Sequence, residues 1–280
     1  MSQHEVDLQL GDRDAINRER LVLESFARDS PEPFVRWTTS QTQSMHLFMD
    51  GDLDGAESVA QDGFELGVAS GQPEAFYGYA GQIFQIRRAQ DRLAETAGAI
   101  EEVLQANPAL QVFHAALAYV RCELGRETEA RALIGAFDIS ACGAPQFWST
   151  ALMLWAEVCH TLDLPEHASR LVPVLSRWQD QVASTGASTE GAIAHGLGRA
   201  LATLGRTQEA AAAYELALTV NRRLRAPLFV ARTHLAYAQA LSGAEPGRAR
   251  AMAAEAEKTA QRFGFAMVQR HVTRLLEQLP

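Results

Sequence analysis

The sequence lacks an excess of positive charge. Its 280 residues contain 25 Lys and Arg against 34 Asp and Glu, which gives a net charge of −9 at pH 7. A field of this sign repels nucleic acids and anionic membrane surfaces. The two densest basic stretches, at residues 222–225 and 248–250, are short and lie near predicted helix ends, where cations interact favourably with the helix dipole. We therefore expect this chain to bind neither nucleic acid nor membrane.

Cysteine is scarce, and targeting and membrane segments are absent from the sequence. Its three cysteines, Cys122, Cys142 and Cys159, form no C-x-x-C motif, so neither a disulfide framework nor a thiolate zinc site is indicated. Cys122 and Cys159 fall in apolar helical patterns and are expected to be buried free thiols. The polar N-terminus lacks the apolar core of a signal peptide, and no apolar run is long enough to span a bilayer. These features predict a cytoplasmic protein.

No catalytic motif is present in the sequence. It contains no Walker A motif, and none of its serines lies in a G-x-S-x-G context. Glu157 and His160 form an isolated E-x-x-H pair, but a carboxylate-bridged metal site needs a second such motif and further carboxylates. We therefore predict no catalytic residue, no metal site and no cofactor, and leave open whether the chain has an enzymatic activity.

Strand signals are nearly absent, and helical patterns fill the chain instead. Seven prolines fall at predicted helix starts, where the missing N–H costs nothing, and Pro173 is expected to kink or divide its helix. The sequence therefore predicts an all-α protein. Its predicted helices cover residues 13–28, 33–49, 53–69, 74–89, 92–105, 109–124, 127–136, 145–161, 166–183, 190–204, 207–222, 228–241, 247–262 and 265–278.

The clearest sign of internal repetition is the stretch LGRALATLGRTQEAAAAYELAL at residues 197–218. Gly198, Ala210 and Ala217 are small, whereas Tyr214 between them is large. Two helices approach closely only where small residues occupy the crossing point and larger residues fill the space beside it. This spacing matches the tetratricopeptide (TPR) pattern, in which each repeat of about 34 residues is a pair of helices.

Weaker copies of the pattern place the starts of successive units near residues 37, 77, 111, 149, 191 and 229. Such units stack into a superhelix with a concave side, and its exposed ends need capping helices. We predict a single-domain α-solenoid of about six TPR-like helix pairs over residues 13–280, with capping helices at 13–28 and 265–278. Residues 1–12 are predicted to be a flexible N-terminus. An irregular helical bundle is the alternative, because the period drifts.

The chain also resembles a known family over about residues 35–265. The stretches FQIRRAQDRLAE, PALQVFHAALAYVRCELGRETEARALI and GLGRALATLGRTQEAAAAYELALTVNRRLRAPLFVARTHLAYAQAL are similar to the C-terminal TPR region of large bacterial, particularly actinobacterial, signalling proteins. In that family an adenylate/guanylate cyclase domain is often followed by an AAA ATPase and then by these repeats, and some relatives carry a LuxR-type helix-turn-helix. The resemblance implies a sensing or scaffolding role for either an excised C-terminal region or a stand-alone relative.

A candidate binding surface follows from the TPR pattern, in which one face of each first helix lines the concave surface. This face is polar and mixed in charge, with interspersed aromatic rings, which is a normal composition for a binding site. Arg88 and Arg199 are expected to clamp a carboxylate or phosphate, although a solvated groove without a specific ligand is the alternative. The predicted lining residues are Gln41, Met45, Gln85, Arg88, Tyr119, Glu123, Glu157, His160, His195, Arg199 and Tyr237.

Three hypotheses for the function follow. The leading one is a non-catalytic TPR module that regulates a signalling protein by holding a protein segment or a small effector in its concave groove. The second is a stand-alone TPR-like protein whose groove has become a small-molecule binding site or an enzymatic site. The third is a self-association module that forms homo-oligomers, since such arrays can bury exposed end helices against copies of themselves.

Overall fold

The computed structural model describes residues 3–138 and 145–279. Within these ranges the chain is almost entirely helical, which confirms the all-α class. No helix in this part of the chain combines the length and the apolarity needed to cross a membrane. The elements are α1 (Gln3–Leu10), α2 (Arg13–Asp29), α3 (Pro33–Asp50), α4 (Leu53–Ala69), α5 (Ala75–Ala89), a 3₁₀ turn (Leu93–Thr96), α6 (Ala97–Ala106), α7 (Gln111–Glu123), α8 (Glu127–Gly135), α9 (Pro145–Thr161), α10 (Pro165–Arg177), β1 (Val182–Ser184), β2 (Thr189–Ala192), α11 (Ile193–Thr203), α12 (Thr207–Arg223), α13 (Pro227–Leu241), α14 (Pro246–Phe263) and α15 (Ala266–Gln278).

Local sequence signals set most helix boundaries. Pro73 and Pro108 lie in the turns before α5 and α7, and Pro173 lies inside α10, which continues past it. Asp52 begins α4 by accepting a hydrogen bond from the Gly55 backbone N–H over 2.9 Å, as an N-cap does. The other five prolines predicted at helix starts each occupy the first residue of a helix, namely Pro33, Pro145, Pro165, Pro227 and Pro246.

Consecutive helices pack against each other along most of the chain: α3 with α4, α7 with α8, α9 with α10, α11 with α12, and α13 with α14. The first helices α7, α9 and α11 also contact each other in succession. At the crossing of α11 and α12, a Cβ on Gly198 would lie only 2.5 Å from Tyr214 Cε1. Ala210 and Ala217 are fully buried there. Small residues therefore occupy the points where these two helices approach most closely.

The segment between α10 and α11 corrects the sequence prediction. The pattern predicts helices at 166–183 and 190–204, but both helices are shorter at the ends that face each other. Between them β1 and β2 form an antiparallel hairpin, with Val182 opposite Ala192. Every strand residue is buried, because the hairpin packs against α1, α9, α12 and α13. Burial among distant helices, which no local pattern encodes, selects the strand conformation here.

The N-terminal segment also differs from the prediction. Residues 1–12 are predicted to be flexible, yet Gln3–Leu10 forms α1, which packs on α2 and β1. The Leu8 side chain is fully buried, and Arg223 donates a hydrogen bond to the Leu10 carbonyl oxygen over 2.7 Å. A polar segment is therefore packed against the fold through Leu8, the Leu10 carbonyl and the buried His4, whose ring lies 5.6 Å from that of His46.

The two ends of the helical array contact each other. The predicted capping helix α15 packs on α13 and α14 and also reaches α5. Arg270 of α15 pairs with Asp91 and with Glu123 at 2.7 Å each. The rings of Phe48 in α3 and Phe229 in α13 meet edge to face with centroids 6.0 Å apart. These contacts join helices of the N-terminal half of the chain to helices of the C-terminal half.

Candidate functional site

A cavity of about 950 Å³ lies among the inner helices. Residues of α1, α2, α3, α5, α6, α7 and α9 line it, together with residues 185–188 at the tip of the hairpin. Its apolar wall contains Val22, Leu23, Trp37, Tyr77, Phe84, Ile100, Leu110, Val112, Phe113, Ala116 and Leu154. Its uncharged polar wall contains Gln3, Thr38, Thr39, Gln41, Thr42, Gln85, Asn107, Thr150, Thr185 and Ser188.

Helical spacing explains why these residues face one space. Trp37 and Gln41 stand four positions apart on α3, and Tyr77, Gly81 and Gln85 repeat that interval on α5. Residues four apart lie on the same face of a helix, so each helix directs one continuous stripe toward the cavity. Gly81 lies opposite the hairpin tip, where a Cβ would stand 3.6 Å from Ser188 Oγ, an ordinary van der Waals distance.

Gln85 connects the cavity to a set of buried charges. Its amide Nε2 donates a hydrogen bond to Glu190 Oε1. The other oxygen of Glu190 accepts hydrogen bonds from Arg88 Nη1 at 2.9 Å and from Arg232 Nη1 at 3.1 Å. Glu190 lies on β2, so the hairpin that lines the cavity at its tip is tied through its second strand to α5 and α13.

Glu157 is the second carboxylate among these charges. Its Oε2 lies 2.8 Å from Arg199 Nε, and its Oε1 accepts a hydrogen bond from His195 Nε2 at 2.9 Å. Arg232 Nη2 lies 3.4 Å from the same Oε1, so Arg232 bridges both carboxylates. We call these residues the buried charge cluster: Arg88, Glu157, Glu190, His195, Arg199 and Arg232.

The surroundings of the cluster fix its ionisation. Although burial opposes charge on Glu157, Arg199 and then His195 hold the pKa of this carboxyl well below its usual value. Burial likewise opposes charge on Glu190, yet Arg88 and Arg232 lower its pKa. Burial lowers the pKa of His195 to about 4, although the neighbouring Glu157 carboxylate favours the protonated imidazole. At neutral pH the cluster therefore holds three guanidinium ions, two carboxylates and a neutral imidazole.

The structure brings several of the predicted groove residues together, but as buried partners of each other. Arg88, Glu157, His195 and Arg199 belong to the buried charge cluster. The Arg88 guanidinium also lies 4.0 Å from the centroid of the Tyr119 ring, a cation–π distance. Of the eleven predicted residues, only Gln41 and Gln85 are among those that line the cavity.

The remaining predicted residues are scattered. Met45 is buried in the apolar core. Glu123 pairs with Arg270 and His271 of α15, at 2.7 and 3.2 Å. The other two lie at separate positions: His160 Nδ1 is 3.4 Å from Thr203 Oγ1, and the buried Tyr237 hydroxyl accepts a hydrogen bond from Arg248 at 2.6 Å.

Arg88 and Arg199, which are predicted to clamp a carboxylate or phosphate, both form ion pairs in the structure. Both residues are more than nine-tenths buried, and the carboxylates that they contact belong to the chain itself. Arg88 pairs with Glu190 at 2.9 Å, and Arg199 pairs with Glu157 at 2.8 Å. The sequence does not anticipate these pairs, because Glu190 lies in the hairpin that the helical pattern misses.

Some site residues could not be found from the sequence. Tyr77 and Phe113 stand in an aromatic-rich part of the sequence, but Trp37 and Thr150 carry no distinguishing pattern. Arg232 gives one usable signal, since it is the one Lys, Arg, Asp or Glu in the mostly apolar stretch PLFVARTHLAYAQAL of α13. A charge in such a stretch needs a buried partner.

Among the described residues, no three His, Cys, Asp or Glu side chains are arranged to hold a metal ion. Cys122 and Cys159 are buried free thiols, as predicted, and burial raises the pKa of each to about 12. Cys142 lies outside the described residues.

Comparison with known proteins assigns the chain to no group. No protein-family model matches it, and no curated protein is significantly similar to it.

Proposed function

We propose that this chain is a non-catalytic binding module that holds a small, largely apolar effector in its cavity and regulates a signalling protein. One observation carries the proposal: a cavity of about 950 Å³ with aromatic and aliphatic walls and a few polar groups. Ligand sites of proteins typically enclose about 300–1,000 Å³ and have this composition.

The helical array supports an α-solenoid of TPR-like units as the scaffold. Successive helix pairs pack in order along the chain, and small residues occupy the crossing of α11 and α12 where the TPR pattern requires them. The regulatory role comes from the resemblance to bacterial signalling proteins that carry such repeats. An AAA ATPase encoded upstream in the same reading frame would support this role, and an unrelated flanking sequence would count against it.

A small molecule fits the cavity better than a protein segment does. In an open solenoid, a bound peptide would occupy the concave side. Here the chain's own hairpin lies against the inner helices, with Val182, Ala183, Thr189 and Glu190 at most 2% exposed. The hairpin tip also lines the cavity. A ligand that contacts residues 185–188 would therefore act on the element that joins Arg88 to Arg232, which offers a route from ligand binding to the helical array.

Cavity filling tests the proposal. An uncharged fluorescent apolar probe such as N-phenyl-1-naphthylamine should bind the purified protein with enhanced emission. Thr42→Trp should weaken this binding several-fold, because Thr42 is half-buried on the cavity wall and the indole takes up part of the space. Thr219→Trp is the matched control, since Thr219 is an exposed helical threonine whose hydroxyl, like that of Thr42, donates to the carbonyl four residues earlier. Equal probe binding by the two variants, or none by the parent protein, would refute the proposal.

A further inference from the structure

Gln85 lines the cavity, and its contact with Glu190 fixes the orientation of its side-chain amide. Because an ionised carboxylate only accepts hydrogen bonds, the Gln85 amide must turn its NH₂ group toward Glu190. The Gln85 Oε1 atom is then left as an acceptor, and it has no hydrogen-bond partner within the described residues. Gln85 is 3% exposed and lines the cavity. A buried acceptor left in this state costs free energy that a donor on a ligand would recover.

Thr150 provides a second polar group on the cavity wall. It lies on α9, is 3% exposed, and lines the same cavity. Its hydroxyl also has no hydrogen-bond partner in the part of the chain that the structure describes. This absence is unusual, because a helical threonine can donate to a carbonyl three or four residues earlier, as Thr42 does over 3.2 Å. A hydroxyl can both donate and accept, so Thr150 would tolerate either kind of ligand group.

The charges around the cavity disfavour an anionic ligand. The charged residues that line it are three carboxylates, Glu5, Glu19 and Glu74, and one guanidinium, Arg18. The nearby guanidinium ions of Arg88 and Arg232 face Glu190 instead. A carboxylate or phosphate placed against Gln85 would therefore meet an acceptor oxygen rather than a cation.

An ammonium group is also disfavoured at the inner end of the cavity. Gln85 joins the buried charge cluster, in which three guanidinium ions outnumber two carboxylates. A buried ammonium at this position would carry a desolvation cost, because both carboxylates of the cluster are already paired with arginines. An uncharged donor satisfies Gln85 Oε1 without this cost.

We infer that the cavity takes an apolar molecule with an uncharged hydrogen-bond donor, a hydroxyl or an amide N–H, placed against Gln85 and Thr150. This inference rests on the proposed function, because it specifies the effector of the same cavity. It replaces the carboxylate or phosphate expected from Arg88 and Arg199 with a neutral, donor-bearing ligand.

A matched ligand series tests the inference. 1-Decanol, decanoate and decylamine have the same chain and differ in head group, and each would displace N-phenyl-1-naphthylamine from the intact protein at neutral pH. We expect decanol to compete at least about tenfold more strongly than the other two, which corresponds to one buried hydrogen bond gained without a charge penalty. Equal or stronger competition by decanoate or decylamine would overturn the inference while leaving the proposed cavity intact. Failure of the fluorescent probe to bind would overturn both.

Two variants locate the donor site. Thr150→Val preserves the shape of the side chain and removes its hydroxyl, and should weaken decanol competition several-fold without changing binding of the fluorescent probe. Thr96→Val is the matched control, because Thr96 is buried but does not line the cavity. Adding Gln85→Met to Thr150→Val should abolish the preference for decanol over decanoate. If the double variant does not fold, the Thr150→Val variant alone tests the inference. Unchanged decanol competition by Thr150→Val would overturn it.

Discussion

At the scale of single residues, the most connected polar side chain is Glu157. Its two oxygens face Arg199, His195 and Arg232 within 3.4 Å, and the residue is 5% exposed. A buried ion pair offers little stability relative to a well-packed apolar substitute, but removal of one partner leaves charges unpaired in a medium that solvates them poorly. The cluster thus adds little net stability. Its main effect is to favour one arrangement of α9, α11 and α13 over others.

Glu157→Gln should lower the free energy of unfolding by about 3–5 kcal/mol, because Arg199 and Arg232 lose a charged partner in the interior. Urea denaturation followed by circular dichroism measures the change. Glu209→Gln is the control, since Glu209 pairs with Arg206 on the surface, where solvent screens the interaction and little change is expected. Equal stabilities of the two variants would mean that Glu157 does not hold the cluster together.

At the scale of elements, the α11–α12 pair shows how one small residue determines a helix crossing. Gly198→Ala would place a methyl group 2.5 Å from Tyr214 Cε1, in a space bounded by a buried ring. We expect a loss of about 1–3 kcal/mol from overpacking, which exceeds the gain of roughly 1 kcal/mol in helix propensity.

Gly98 provides the opposite case on α6. It is exposed, and nothing lies within 4 Å of a Cβ built on it. Gly98→Ala should therefore raise stability by about 0.5–1 kcal/mol through helix propensity alone. Thermal and chemical unfolding of the two variants side by side tests the packing argument, and a stabilised Gly198→Ala protein would show that the α11–α12 register is wrong.

At the scale of the whole molecule, buried neutral histidines make stability depend on pH. Burial lowers the pKa of His46 to about 3 and the pKa values of His160 and His195 to about 4. Unfolded histidine titrates near 6.5, so the unfolded chain binds protons that the folded chain does not. Stability should be highest above about pH 6.5 and should fall progressively as the pH decreases toward 4.

Thermal unfolding between neutral pH and pH 4 measures this dependence. His46→Leu should flatten part of the decline, because the His46 ring is 2% exposed and both its nitrogens lack a hydrogen-bond partner within the described residues. A melting temperature that stays constant over this range would contradict the assigned burial of these histidines. Self-association remains a separate prediction, which light scattering at high protein concentration tests.

The cavity and the buried charge cluster show where sequence reasoning stops. Gln85, Arg88, Glu157, His195 and Arg199 could be selected from helical spacing alone, because they share the inner face of their helices. Their environment could not be deduced, since an open groove and an enclosed interior place the same residues on the same face. The difference depends on contacts such as Arg270 with Asp91, whose energies do not follow from either local segment.

The sequence by itself determined the helical class, most helix boundaries, the close packing of α11 on α12, and the burial of Cys122 and Cys159. These features follow from local spacing, proline positions and side-chain size, which act within one helix or between neighbouring helices. Only the tertiary structure decided that residues 182–192 form a hairpin, that the two halves of the chain contact each other, and that a cavity remains among the N-terminal helices and the hairpin tip. Those outcomes arise from burial shared by segments far apart in the chain, and local pattern carries no information about such partners.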